Sequence, residues 1–342
     1  MSKSKSSLTW VKWTHFEYWP WWFFYLPTFP YWFWLALKSR RLLYFTAANP
    51  GIEYGGFFGE SKQKILDLIP SEYLPRYAVI QKIQSEDELI ACIQTDGFTF
   101  PLIAKPDVGE RGNEVRKIYT SEELIRYHQQ AEGDYILQEF ITFPIELGVL
   151  YYRFPDGSEE GISSITMKEF MTVTGDGQHN IRELMEQVDR YRFQIERFSQ
   201  EHPQLLTQIP SLGESVLLEP IGNHCRGTKF LNGNHLITPS LNQVFGQIVE
   251  RMEGFYFGRF DMKVSSWEDL QAGKNIRIME VNGTTSEPAH IYDPSYSLRQ
   301  AYKDIFYHMR LVQKIAVQNI KKGVKTTPKG EFLSVLRKHF IG

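Results

Sequence analysis

The sequence predicts an α+β protein built on antiparallel sheets and several helices, rather than a doubly wound parallel sheet. Three observations carry that reading. Short β-rich stretches come in neighbouring pairs, at 134–140 with 146–153 and at 255–264 with 275–282. Helical stretches open on capping residues and show one apolar stripe. Gly and Pro punctuate the joints between them.

Taken in order, residues 47–62 read as a Gly-rich loop leading into a short helix, with Ile65, Leu66 and Ile69 as its buried stripe before Pro70. Residues 98–104 read as a strand, and Gly109 and Gly112 mark a tight loop after it. Thr120 with Glu123 makes a capping box for a helix to about residue 132. Strands are expected at 134–140, 146–153 and 161–171. Asn180 with Glu183 opens a long amphipathic helix to about residue 201, and Ser240 caps another to Met252. After strands at 255–264 and 275–282, a last helix runs from about Ser297 to Lys322, stopped by Gly323.

The 342 residues suffice for two or three domains with a real core. An apolar fraction of 42% and a charged fraction of 23% exclude bulk disorder. Lys and Arg number 38 against 40 Asp and Glu, which gives no global electrostatic case for nucleic acid. Cys92 and Cys225 are too few for a disulfide framework or a cysteine-ligated zinc site, and point to a reducing compartment.

The average hides an asymmetry. Seven of the eight tryptophans lie between Trp10 and Trp34. Residues 1–45 hold six basic residues and one acid, +5, which leaves −7 for the rest. From Tyr18 to Leu37 no residue is charged, a length that could span a bilayer. Pro20, Pro27 and Pro30 interrupt any such helix, and Trp and Tyr favour the headgroup level. The leading expectation is an in-plane anchor with Lys and Arg against anionic lipid, on the cytoplasmic face of a membrane. Packing of these rings on the body and a true span are the alternatives. No small-residue cleavage site follows the apolar run, so a cleavable signal peptide is not expected.

Four pieces of the body carry chemistry. Lys105 ends an apolar strand and is followed by Gly109, Glu110, Arg111, Gly112 and Asn113. A lysine there can meet a phosphate and a glycine loop can close over it, although a plain hairpin has the same pattern. Glu139 ends the next strand and Glu146 follows seven residues later, as acceptors for a nucleoside or as surface glutamates. Lys168 sits in an otherwise uncharged stretch and must snorkel or meet an anion. In GRFDMKV, Arg259, Asp261 and Lys263 share one face. In IRIMEVNG, Glu280 and Asn282 share one face. Paired antiparallel, the two strands bring Asp261, Glu280 and Asn282 together as hard oxygen ligands suited to Mg²⁺.

The ordered set resembles the ATP-grasp carboxylate–amine ligases, in particular D-alanine–D-alanine ligase and, through VTGDG and NIRELM, the ATP-grasp part of cyanophycin synthetase, over about residues 60–322. The resemblance implies an ATP-grasp fold of two α+β lobes gripping the nucleotide. Its expected division is an aromatic segment over 1–48, a first lobe over 49–137, a second over 138–325 and a tail over 326–342. It implies ATP and Mg²⁺ as cofactors. Lys105 and Lys168 fall at the phosphate lysines, and Gly109 to Asn113, including Gly112, at the glycine lid. Glu139 falls at the adenine hinge, Glu146 at the ribose, and Asp261, Glu280 and Asn282 at the metal triad. Arg259 falls at the arginine that steadies the transferred phosphoryl group. The implied reaction makes an amide through an acyl-phosphate from small-molecule or lipid-linked carboxylate and amine substrates. A phosphotransferase on the same scaffold and a non-catalytic nucleotide-binding membrane adaptor are the alternatives. The family's usual N-terminal substrate domain has no evident counterpart, so D-alanine specificity is not carried over. Two further signatures, His224, Arg226 and Lys229 in one and Ser286, Glu287 and His290 in the other, suit either an anionic acceptor or loop bonding, with Arg226 fitted to bidentate anion capture.

Overall fold

The computed structural model describes residues 7–109 and 114–341, the last four of these by backbone alone. Glu110, Arg111, Gly112 and Asn113 therefore lie outside the described residues.

Alternating apolar residues build two antiparallel sheets that matter for the site. The first holds β1 (Tyr77–Ile80), β2 (Leu102–Pro106), β3 (Arg116–Ile118) and β4 (Tyr135–Glu139) in the order β1-β4-β2-β3. Leu89 and Ile93 of the helix Glu86–Thr95 and Leu124 of the helix Ser121–Gln130 seal one side against Ile80, Leu102, Ala104 and Leu137. The second holds β5 (Ile145–Arg153), β6 (Glu160–Glu169), β9 (Lys229–Asn232), β10 (Phe257–Val264) and β11 (Ile276–Asn282), ordered β11-β10-β5-β6-β9. A small hairpin pairs β7 (Thr172–Thr174) with β8 (Ser215–Leu217).

The period of two decides what each face of the large sheet does. Leu147, Val149, Tyr151, Phe260 and Met262 point one way, onto Leu241, Phe245 and Ile248 of the helix Pro239–Glu250. The opposite face is divided. At one end Leu150, Tyr152 and Phe257 pack under Leu311, Val312 and Ile315 of the helix Leu298–Lys321. At the other end, on the same face by register, stand Glu146, Arg259, Asp261 and Lys263.

Several expectations are corrected in detail. The helix expected over 180–201 is three: Ile181–Met185, Asp189–Arg192 and Ile195–Glu201. Its Asn180–Glu183 capping box is present in both halves. The break beyond it delivers a buried Arg190 to an ion pair with Glu17. Thr238, not Ser240, caps the next helix, because Pro239 takes the first helical position. The tail carries a further helix, Lys329–Ile341, whose Phe332 packs on Phe45 and Phe57.

The aromatic segment folds as short helices, Leu8–Thr14, Trp21–Tyr25 and Phe29–Ser39, with Pro20 and Pro30 at helix starts, where a missing N–H costs nothing. Its inner side packs on the body. Phe24 joins Ile291, Ala301 and Ile305, and Leu35 and Ala36 join Tyr44, Leu311 and Ile315. Its outer side leaves Trp10, Trp21, Trp22, Phe33 and Trp34 exposed, Trp22 by 54%. Among the described residues no helix is long and apolar enough to cross a membrane.

Candidate active site

Asp261 stands at the centre of the charged end of the large sheet. Its Oδ1 lies 3.0 Å from Lys168 Nζ, and its Oδ2 lies 3.1 Å from Arg259 Nη2. The Asn282 side-chain amide donates to the same Oδ2 at 3.0 Å. Lys168 also donates to Glu146 Oε1 at 3.0 Å, and Lys263 lies 3.7 Å from Glu146 Oε2. Register places Glu280 directly opposite Asp261 and Asn282 opposite Arg259. The paired-strand geometry read from the sequence is therefore present.

Two glycines make the crowding possible. Gly148 pairs with Asp261 across the β5–β10 ladder, and a Cβ there would stand 3.2 Å from Arg259 Cδ, in the path of the guanidinium as it folds onto Asp261. A Cβ on Gly222 would stand 2.1 Å from Glu146 Oε1, so any larger residue there has to displace the Glu146 carboxylate from its present place beside Lys168.

Burial and charge work against each other here. Burial alone would raise the Asp261 carboxyl, but the Arg259 and Lys168 cations overcome it and hold the carboxyl down at about 2. Burial acts to lower Lys168, yet Asp261 and Glu146 carry it above the ordinary lysine value.

The first sheet contributes Lys105 from the end of β2. It is buried, and its ammonium donates to the Met279 carbonyl at 2.9 Å and to Gln138 Oε1 at 3.2 Å. Between the register pairs Asp261–Glu280 and Met262–Ile278, Met279 is the extra residue of a β-bulge. Burial pushes Lys105 down to about 8, opposed by Glu280 and Asp261. The Gln138 amide nitrogen beside it is buried and has no hydrogen-bond partner among the described residues. Four cations (Lys105, Lys168, Arg259, Lys263) thus face Glu146, Asp261 and Glu280, with Glu287 also acting on Arg259. Two lysines and an arginine converging from both sheets, with a buried donor left over, suit an anion such as phosphate.

The donor set also fits a hard cation. Asp261 and Glu280 offer carboxylate oxygens and Asn282 an amide, the one or two carboxylates that Mg²⁺ takes alongside phosphate. Among the described residues no three His, Cys, Asp or Glu side chains gather as a metal cluster, so the phosphates and water would have to complete the shell. The crevice between Lys105, Met279 and Glu280 is too narrow to admit even a water-sized sphere. Small-molecule pockets run from roughly 300 to 1,000 Å³, so a nucleotide requires the Lys105–Met279 contact to open.

The remaining expected residues are more scattered. Glu139 is exposed at the end of β4 and accepts from the Arg76 backbone N–H at 3.3 Å. Gly109 ends a described segment, while Gly112 and Asn113 lie outside it. Arg226 Nε donates to Glu219 Oε2 at 2.8 Å, and Arg197 takes the same oxygen at 3.0 Å, so the Arg226 side chain is tied into its own loop. His224 lies 3.7 Å from Glu17 and 3.2 Å from Arg190. His290 is buried between Ser164 Oγ at 2.6 Å and Asp304 Oδ2 at 3.1 Å. Sequence reasoning missed Gln138, the Met279 carbonyl and both glycines. A glutamine inside the apolar stretch YILQEFI was the one available signal.

No family model matches the sequence, and no curated protein matches it. Among solved structures, the chain is similar to the VanG D-Ala:D-Ser ligase from Enterococcus faecalis, at 14% identity and a TM-score of 0.43, over 75% of this chain and 61% of that one. It is similar to a D-alanine–D-alanine ligase from Bacillus anthracis, at 13% identity and a TM-score of 0.38, over 76% of this chain and 67% of that one. It is also similar to a bifunctional glutathione synthetase from Pasteurella multocida, at 12% identity and a TM-score of 0.38, over 72% of this chain and 35% of that one. The chain thus spans under two thirds of the first of these and about a third of the last. At such identities the likeness concerns the fold alone.

Proposed function

We propose that this chain is an ATP- and Mg²⁺-dependent carboxylate–amine ligase, working at the cytoplasmic face of a membrane. The observation that supports this most is the meeting of Lys105, from one sheet, with Lys168, Arg259, Asp261 and Glu280, from the other. Residues 49–137 and 138–325 would act as the two lobes.

In this reading Asp261, Glu280 and Asn282 would hold Mg²⁺, whose charge would offset that of the phosphates. Lys105 exchanges the Met279 carbonyl, and Lys168 the Glu146 carboxylate, for phosphate oxygens. Glu146, freed in part, accepts from the ribose hydroxyls, and Glu139 lies on the hinge beside the adenine. Gly109, Gly112 and Asn113 belong to the lid. Arg259 orients the γ-phosphoryl group for attack by a substrate carboxylate. That attack displaces ADP and gives an acyl-phosphate, which the amine attacks after losing its ammonium proton to solvent; the amide forms as phosphate leaves with the remaining amine proton. Position and charge carry the rate, since the side chains supply no covalent chemistry. The exposed tryptophans beside Lys12, Lys38, Arg40 and Arg41 suit a membrane interface, and with it lipid-linked as well as soluble substrates.

The test is ADP release with candidate carboxylates and amines in the wild type and in Asp261→Asn and Glu280→Gln. Loss in both variants, with a product lighter by one water than its two substrates combined, is expected. Turnover intact in both variants removes the metal assignment, and a product heavier by a phosphoryl group replaces the ligase with a phosphotransferase.

A further inference from the structure

The loop after β11 is fixed to the strands that carry the charged cluster. Ser286 Oγ accepts the Arg259 backbone N–H at 3.1 Å and donates to the Asn282 carbonyl at 2.5 Å. The next residue, Glu287, is half-buried and close enough to Arg259 to act on its charge. Its Oε2 accepts from the Tyr292 hydroxyl at 3.0 Å and from the Tyr25 hydroxyl. Its Oε1 accepts no hydrogen bond, and no ion pair involves Glu287, among the described residues.

The surroundings are aromatic. Phe24 lies 5.3 Å from Tyr25, 6.0 Å from Tyr292 and 5.3 Å from Tyr302, ring centre to ring centre. Burial and the nearby carboxylate hold both phenols well above their ordinary pKa, so they stay protonated as donors. A half-buried carboxylate with one oxygen left over, its other oxygen held by two phenol donors, is an acceptor for the N–H groups of a cation. The sequence left this loop open to an anionic acceptor, but the cation that would serve it, Arg226, is engaged with Glu219.

We infer that Glu287, with Tyr25 and Tyr292, forms a subsite for a primary ammonium group, the resting form of the acceptor amine. Its place in the reaction rests on the ligase reading; its existence does not. Tyr25 comes from the N-terminal aromatic segment, so that segment completes the subsite, and Trp21 and Trp22 of the same short helix face outward. The acceptor amine is thereby placed between the Arg259 end of the cleft and the aromatic surface.

The experiment titrates the full chain with n-butylammonium chloride and, separately, with n-butanol, by calorimetry, and measures Mg·ATP affinity in parallel. Saturable binding of butylammonium in preference to butanol is expected, weakened about tenfold or more in Glu287→Gln, the loss of one charge-assisted contact. Tyr292→Phe, which keeps the ring, is expected to weaken it by a smaller factor, and circular dichroism checks that both variants fold. Equal binding in Glu287→Gln, or equal binding of butanol, overturns the subsite and leaves Glu287 as a tie between segment and body. Butylammonium binding without any Mg·ATP binding sinks the ligase reading and leaves the subsite standing. Mg·ATP binding without butylammonium binding does the reverse.

Discussion

Lys105 and Met279 join the two sheets: the ammonium at the end of β2 donates at 2.9 Å to the carbonyl that the β11 bulge turns toward it. The contact spans the cleft that a nucleotide would have to enter. It also fixes a pH signature. Burial holds Lys105 at about 8 against an ordinary 10.5, so the fold bears a cost for its charged form. That cost is fully present below about pH 8 and fades as pH rises toward 10.5. A phosphate beside the ammonium raises its pKa again, so nucleotide binding takes up a proton above pH 8. Mg·ATP affinity is expected to be flat from pH 7 to 8 and then to fall, by up to about tenfold per pH unit. Lys105→Met should bind about tenfold more weakly or worse at pH 7 and show no slope. Calorimetry across this range decides it; a slope unchanged in the variant removes Lys105 from the phosphates.

Asp261 ties the charged cluster to stability. Its carboxyl is held at about 2 against an ordinary 3.8, so its contribution to stability is present above pH 3.8 and is lost as pH falls through about 2. Asp261→Asn leaves the buried Lys168 and Arg259 without their shared partner, a loss of about 3–5 kcal/mol at neutral pH if nothing relaxes. Urea unfolding should therefore separate variant from wild type at pH 7 and much less near pH 2. A gap that stays constant with pH would show that the Asp261 charge does not hold this cluster.

Arg259 and Arg226 are expected to part company. Arg259 is folded over Asp261 at the cleft, and Arg226 is bound to Glu219, which Arg197 also holds. Arg259→Ala should lower ADP release on the order of 10²-fold or more, as removal of a preorganised charge at a transferring group does. Arg226→Ala should cost less than about tenfold in rate and lower the melting temperature by a few degrees. Initial rates and thermal scans on the two variants test the pair. Similar losses of rate would bring Arg226 back to the chemistry.

Much of this site was legible because a strand writes its faces into the sequence. The alternation in GRFDMKV and IRIMEVNG already aligned Asp261 with Glu280, and the register of β10 with β11 repeats it. What alternation cannot show is the third dimension. Met279 reads as an ordinary strand residue, because a bulge depends on how two strands meet rather than on either one. Gly148 and Gly222 matter only for what lies above them. Helix 180–201 failed as a single element because its amphipathic pattern holds on both sides of the break, while the buried Arg190–Glu17 pair at the break joins residues 173 apart. For the aromatic segment, composition named the surface but not its two sides: Phe24 and Trp22 read alike in sequence, and one is buried while the other is exposed.

That two-sidedness decides how membrane binding should be tested. Removing the segment outright would take away Glu17, the partner of buried Arg190, together with Tyr25 and the packing of Phe24 and Leu35, so any loss of flotation would be confounded by damage to the body. Trp21, Trp22, Phe33 and Trp34 are each about half exposed, and replacing the four with Ser removes ring contacts with Phe23, Tyr31 and Trp32 but keeps Glu17, Phe24 and Leu35 in place, so the melting temperature should fall by only a few degrees. The wild type is expected to float with anionic vesicles of phosphatidylcholine and phosphatidylserine, and less so at 1 M salt, where the Debye length falls to about 3 Å and Lys12, Lys38, Arg40 and Arg41 lose their reach. The fourfold variant should partition at least about tenfold less, since each buried aromatic ring contributes on the order of a kcal/mol or more at an interface. A stable variant that floats as well as the wild type would take the aromatic face off the membrane.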